Sequence, residues 1–220
     1  MDAESEAAGA VVRPADHPDQ TNLGKWNKWY VGLKVGEGPT KYGDLASYRL
    51  AGAFLAGCRE IEDWGCGRGG FRVHCPGRYI GVDGSQTPYA DKIAELTDYR
   101  SSVDGILLRH VLEHNYNWPK VLDNAVKSFR KRLCIVLFTP FADTTRELRH
   151  NLKSGVDVPD LSLSSDEIEA HFGGLSWKLY RDIKSASQYG VEHVYCVWRP
   201  EPKGFWARLR SLFSDHLKSS

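Results

Sequence analysis

Ile61-Glu62-Asp63-Trp64-Gly65-Cys66-Gly67-Arg68-Gly69 is the stretch on which the fold turns. A short run with apolar ends enters Gly-x-Gly-x-Gly, the pattern of a strand running into a turn whose missing side chains let a ligand approach the backbone. A second run, Tyr79-Ile80-Gly81-Val82-Asp83, ends on a carboxylate. Asp83 lies about 20 residues past the first glycine, the interval at which an acidic side chain receives ribose hydroxyls in α/β sheets. A nucleoside ligand held by Gly65, Cys66, Gly67, Asp83 and Gly84 is therefore expected. The plainer alternative is a tight strand-to-helix turn with Asp83 capping the helix.

Working outward, further apolar runs at Lys92 to Leu96, Gly105 to Leu108 and Leu133 to Phe138 alternate with helical or turn segments. Such alternation predicts an α/β fold with a doubly wound, mostly parallel sheet covered on both faces. Trp177 to Ile183 and Glu192 to Trp198, joined by a polar Ser-Gln-Tyr-Gly connection, predict an antiparallel C-terminal hairpin at the sheet edge. Between them and the fifth run, Ser164 to Phe172 reads as a helix capped by Ser164 or Ser165, with Asp166 and Glu167 in its first turn. Residues 22–58 form a helical cap that includes an apolar helix from about Asp44 to Gly57, and the domain runs over 22–200. Residues 1–21, rich in Ala, Pro, Asp and Glu, lack the apolar periodicity to offset the entropy of ordering and are expected to stay mobile. Residues 201–220 place Phe205, Trp206, Leu209, Leu212, Phe213 and Leu217 on one helical stripe. This amphipathic helix is read first as packing on its own domain or on a second subunit. Peripheral membrane contact through 203–217 is the sharper alternative.

At 220 residues and 41% hydrophobic, the chain can bury one full core. Lys and Arg (29) nearly balance Asp and Glu (28), so no global field draws in a polyanion, and nucleic acid is not an expected partner. Five cysteines without a CxxC pair argue against a disulfide framework or zinc knuckle and for a reduced, cytoplasmic protein. No apolar run approaches a membrane span, and the acidic N-terminus is unlike a secretory signal.

The glycine stretch resembles the first motif of class I S-adenosylmethionine-dependent methyltransferases. Val103-Asp104-Gly105-Ile106-Leu107-Leu108-Arg109-His110-Val111-Leu112-Glu113-His114 is similar to their fourth-strand segment, which commonly ends in Leu-Glu-His. The match spans about Ile61 to Phe138. It implies a Rossmann-like methyltransferase fold with S-adenosylmethionine as cofactor and S-adenosylhomocysteine as product. Gly65 and Gly67 would border that cofactor, Asp63 would lie near its methionine amino group, Asp83 would hold the ribose, and Glu95 or Asp98 would sit near the adenine. Arg109, at the fourth strand end, and Tyr42, from above, would also touch it. The chain departs from the family between Asp83 and Lys92, which is too short and proline-bearing for the usual crossover helix. Gln86 is expected to reach into the pocket from that loop. The whole chain is also similar to small actinobacterial methyltransferases linked to methylated mannose polysaccharides.

Ligands of such sheets bind beyond the carboxyl ends of the strands. Residues after the fourth and fifth strands are thus the candidates for chemistry. His150 is the expected general base, on a helical segment after the fifth strand and oriented by Asp143 or Glu147, with His114 as a further catalytic candidate. Trp26, Trp29 and Tyr30, interleaved with Lys25, Asn27 and Lys28, are expected to stack on the acceptor, with Phe141 and Glu147 across from them. His110, Glu113 and His114 would share a helix face, but a family role as braces is favoured over metal ligation, and no metal is predicted. The expected activity is methyl transfer to a hydroxyl of a small neutral acceptor, a sugar or polysaccharide precursor. The rivals are an N- or other small-molecule methyltransferase, an NAD-dependent oxidoreductase (since Gly65-x-Gly67-x-x-Gly70 satisfies the dinucleotide fingerprint), and a non-catalytic cofactor-binding adaptor. Asp63, whose charge would repel a pyrophosphate, and the bulky Arg68 lower the oxidoreductase reading.

Overall fold

The computed structural model describes residues 21–32, 45–152 and 155–200. The expectations for residues 1–20, for Tyr42 and for the helix at 201–220 lie outside them.

Apolar runs buried on both faces build the centre of the sheet. Strands β1 (Glu60–Trp64), β2 (Arg78–Asp83), β3 (Lys92–Ile93), β4 (Val103–Arg109) and β5 (Phe129–Leu137) lie parallel. The late strands β8 (Ser176–Lys184) and β9 (Val191–Trp198) complete it antiparallel, in the order β3-β2-β1-β4-β5-β9-β8. Ile106 and Leu108 of β4, Leu133 and Ile135 of β5 and Tyr195 and Val197 of β9 point to one face. There they bury Val121, Leu122 and Ala125 of helix α3 (Trp118–Ser128). Leu107, Cys134, Val136, Val194 and Cys196 point to the other, against Ala51 and Leu55 on and just beyond helix α2 (Leu45–Phe54). Pro119 in the first turn of α3 sits where its missing N–H costs nothing. The expected fold class, including the closing hairpin, is the one observed. A four-residue helix α1 (Asn27–Tyr30) precedes α2. Helix α4 (Ser165–Glu169) starts at Ser164, whose side chain accepts from the Glu167 amide.

Helical cover is sparse elsewhere. The chain leaves β1 through a 3-10 turn at Gly70–Val73, and β2 reaches β3 with no helix, as the short, proline-bearing connection requires. The larger correction concerns the segment after β5. The helix expected to carry Glu147 and His150 is instead strand β6 (Arg146–Asn151), paired antiparallel with β7 (Val158–Ser162). Among Arg146-Glu147-Leu148-Arg149-His150-Asn151 only Leu148 is apolar, so no helical stripe forms. Burial of β7 along its length fixes the conformation of its partner.

The sheet order reverses between β1 and β4, and at such a switch point a crevice opens beyond the carboxyl ends of the strands.

Candidate functional site

A cavity of about 140 Å³ occupies that crevice. Its floor is the glycine loop. Gly65 (φ +73) and Gly67 (φ +50) are left-handed, and a β-carbon at Gly67 would stand 3.0 Å from the Tyr30 hydroxyl. At Gly65 it would drive to 2.5 Å from a Val111 methyl, so this turn admits only glycine. Cys66 lines the cavity as well, and burial pushes its thiol far up, leaving it un-ionised.

Asp83 forms one wall. Its Oδ2 accepts the Gly67 amide (2.8 Å) and its Oδ1 the Ser85 amide (2.8 Å). Burial raises its pKa to about 6, against the pull of those amides. With the Gly84 amide acting on it as well, the carboxylate keeps capacity for a further donor. Gly84, Ala94, Glu95, Leu96 and Asn115 continue this wall. Asp98 and Gln86 do not reach it; the Gln86 amide donates to Asn27 Oδ1 (2.6 Å). Asp63 lies behind the loop, buried, where its carboxylate accepts from the Tyr79 hydroxyl (3.0 Å). Burial raises its pKa to about 7, with the nearby Asp83 adding to the rise.

Glu95 serves the roof. Its Oε2 accepts the amides of Asn22 (2.8 Å) and Leu23 (3.2 Å) and the Thr21 hydroxyl. The Gly24 amide donates to the Gly84 carbonyl (2.6 Å) and the Trp26 amide to Ser85 Oγ (2.9 Å). The segment 21–30 is thereby tied across the mouth and carries Trp26, Trp29 and Tyr30 into the lining. Trp26 stacks on Tyr30 (6.5 Å between centroids) and tilts against His114 (5.2 Å).

The strand β4 terminus supplies the charged end. Arg109 lines the cavity, yet its Nη2 is bound to Glu192 Oε1 (2.6 Å), its Nε to Ser47 Oγ (3.2 Å), and its plane lies 4.3 Å over Tyr48. His110, left-handed at φ +56, places Nε2 on the same Glu192 oxygen (2.8 Å), and burial holds its imidazole well below the usual range. His110 therefore turns away from Glu113 and His114 instead of sharing a helix face with them. Glu113 Oε1 accepts the Phe138 amide (2.6 Å). Among the described residues no group of three or more His, Cys, Asp or Glu is arranged to hold a metal ion.

His114 is the titratable group best placed for chemistry. Its Nδ1 lies 2.9 Å from the Pro159 carbonyl and 3.3 Å from Asp160 Oδ1. A carbonyl only accepts, so Nδ1 carries the proton and, in the neutral ring, Nε2 keeps a lone pair. Burial alone would depress this imidazole, but the bonds to Asp160 and Pro159 outweigh it and raise its pKa. Asp160 is itself braced by the Tyr189 hydroxyl (3.1 Å) and Gln188 (3.3 Å) from the β8–β9 turn.

The remaining expected site residues lie off the cavity. His150 stands on β6 with Nε2 bound to Asp157 (2.7 Å) and Nδ1 to Glu147 (3.0 Å), so both ring nitrogens are spent on the ribbon. Glu147 also accepts from Tyr116. Phe141 packs on His193 (4.3 Å) beneath Arg181, and Asp143 is exposed. Asp160 and Glu192 carried no signal in the sequence. Each lies on a strand far along the chain, and only the pairing of β6 with β7 and of β9 with β5 brings them to the crevice.

No protein-family model matches the chain, and no curated protein does. Solved structures do. A 1,6-didemethyltoxoflavin-N1-methyltransferase of Burkholderia thailandensis, crystallised with 1,6-didemethyltoxoflavin and S-adenosylhomocysteine, superposes with a TM-score of 0.58 at 15% identity, over 92% of this chain and 98% of that one. The magnesium protoporphyrin IX methyltransferase of Synechocystis, with bound S-adenosylmethionine, does so with a TM-score of 0.50 at 14% identity, over 80% and 90%. At these identities the likeness is one of fold, the fold of S-adenosylmethionine-dependent methyltransferases.

Proposed function

We propose that the chain is an S-adenosylmethionine-dependent methyltransferase acting on a hydroxyl of a small acceptor, a sugar or polysaccharide precursor, with His114 as the general base. The observation that carries the reading is that His114 lines the cavity with its Nδ1 held by the Pro159 carbonyl and Asp160, and with no bond to Nε2 among the described residues. The left-handed glycines and Asp83 are the residues fit to hold the adenosyl group, and the fold is shared with proteins that bind it. When bound, S-adenosylmethionine supplies the methyl, its S–C bond breaking as the new O–C bond forms and the thioether nucleoside leaving.

This chain's own residues do the rest. The segment 21–30 covers the reaction and excludes water, so that a hydroxyl placed under Trp26 is held instead of exchanged. His114 Nε2 takes the hydroxyl proton as the bond forms, and Asp160 stabilises the imidazolium that results. Flat aromatic faces at Trp26, Trp29 and Tyr30 suit a sugar ring. The antiparallel β8–β9 pair closes the sheet where a dinucleotide fold would add another parallel unit, which disfavours the oxidoreductase reading. No helix among the described residues is long and apolar enough to cross a membrane.

The test is transfer of an isotopically labelled methyl to a panel of sugars, amines and planar heterocycles, with the product mapped by fragmentation. Label on a sugar oxygen is expected. Label on a nitrogen alone would replace the hydroxyl reading with the N-methyltransferase one.

A further inference from the structure

Arg59, Arg78, Arg130, Lys131, Arg132 and Arg199 stand at the rim of the sheet opposite the crevice, where β1, β2, β4 and β5 begin and β9 ends. Their contacts run on from one to the next. The Arg78 amide donates to the Arg59 carbonyl (2.8 Å), and the Arg59 amide to Asp104 Oδ2 (3.0 Å). Arg130 (2.9 Å) and Lys131 (2.8 Å) pair with the same carboxylate, and the Arg199 amide reaches the Lys131 carbonyl (3.2 Å). Against these cations stand the buried Asp104 and Glu60, which pairs with Arg78 (2.8 Å). A chain with a net charge of only +1 therefore carries a local positive excess at one end.

Part of this rim serves the fold. Arg132 and Arg199 bond the carbonyls of Phe54 (2.6 Å) and Val126 (3.0 Å), where α2 and α3 end on their negative poles. That does not account for Arg59, which is exposed, and one carboxylate cannot neutralise both Arg130 and Lys131. The side chains of Arg78, Arg130 and Lys131 stay 72%, 52% and 50% exposed. From the rim the chain runs on past Pro200, and there Phe205, Trp206, Leu209, Leu212 and Phe213 recur at helical spacing beside Arg208 and Arg210. Charge alone would suit any polyanion. Large apolar side chains directly after it suit a surface with an apolar layer beneath its anions.

We propose that this rim and the segment after it dock the protein on an anionic lipid bilayer, the rim cations against the headgroups and the apolar residues of 205–213 in the layer below. The docking does not depend on what the crevice binds. The crevice opens at the far end of the strands, about 20 Å away along the seven residues of β4, so its mouth faces the water and takes its ligands from there.

Co-sedimentation of the full chain with phosphatidylcholine vesicles, with and without about 30 mol% phosphatidylglycerol, tests the proposal. Wild type is expected on the anionic vesicles and not on the neutral ones, with binding falling as salt rises from about 0.05 to 0.5 M. Arg59→Gln with Arg78→Gln is expected to weaken the partition about 10- to 30-fold, and Trp206→Ser with Phe213→Ser about 10-fold or more. Arg59 and Arg78 are exposed, so the thermal melt of the rim variant is expected to match wild type, and the salt titration needs no variant at all. Equal sedimentation with both kinds of vesicle, or a folded rim variant that binds anionic vesicles as wild type does, overturns the proposal. Retention by a short DNA duplex in the absence of vesicle binding overturns it as well and assigns the rim to nucleic acid.

Discussion

His114 and His150 show how hydrogen bonding assigns roles to two identical side chains. His150 is tied at both ring nitrogens to carboxylates on an exposed ribbon, and the Asp157 hydrogen bond first of all raises its pKa. Such a group staples β6 to the loop before β7. His114 is tied at one nitrogen only, with the other left to a ligand. Replacing His114 with Asn should lower turnover by about 100-fold while S-adenosylhomocysteine affinity stays within a few-fold, as removal of a base requires. Asp160→Asn adds a readout that a merely structural role would not move. Because Asp160 raises the His114 pKa, the base is protonated and idle at low pH, and wild-type kcat/KM should fall as pH drops through the raised pKa of this imidazole. Without the carboxylate the imidazole loses its proton more easily, so the acid limb of the variant should move to lower pH while the plateau falls. An unmoved limb in a pH–rate profile would detach Asp160 from His114.

At the scale of elements, the parallel strands were legible because the sheet is covered on both faces, by α3 and by α2, and that demand prints short apolar runs on the sequence, while a polar connection marks the closing hairpin. The glycine loop was legible because positive φ at Gly65 and Gly67 leaves no other residue type. The β6–β7 ribbon was not, since its reason is the burial of Val158 and Leu161 against distant residues while β6 itself is polar. Nor was the turn after β4, where the Leu-Glu-His run read as a helix face but the left-handed His110 sends the chain aside. In that turn Glu113 is wholly buried, with Oε2 unpartnered among the described residues, and burial raises its pKa to about 7. A carboxyl whose folded pKa exceeds its unfolded one favours the folded state when protonated. Stability from this group is therefore full below about pH 4.5 and lost as pH rises through about 7. Glu113→Gln, which cannot ionise, should flatten that part of the curve of Tm against pH. A variant whose Tm falls from pH 5 to 8 as steeply as wild type would show that Glu113 is ionised throughout.

Across the whole molecule, the site is assembled from segments that are remote in sequence: the glycine loop, the end of β4, the β7 strand and the segment 21–30 folded over them. The last of these is held by Glu95, which the family resemblance placed near the adenine and which the structure gives to the backbone of residues 22 and 23. One carboxylate thus ties the cavity wall to the segment 21–30 that covers it.

The central claim is that this crevice takes an adenosyl cofactor. Thermal unfolding of the full chain with S-adenosylhomocysteine or NAD, each at equal millimolar concentration, tests it most directly, because only a ligand of the folded state raises the transition by mass action. The account predicts a concentration-dependent rise in Tm with S-adenosylhomocysteine and none with NAD. A rise with NAD alone, or with neither, would contradict it.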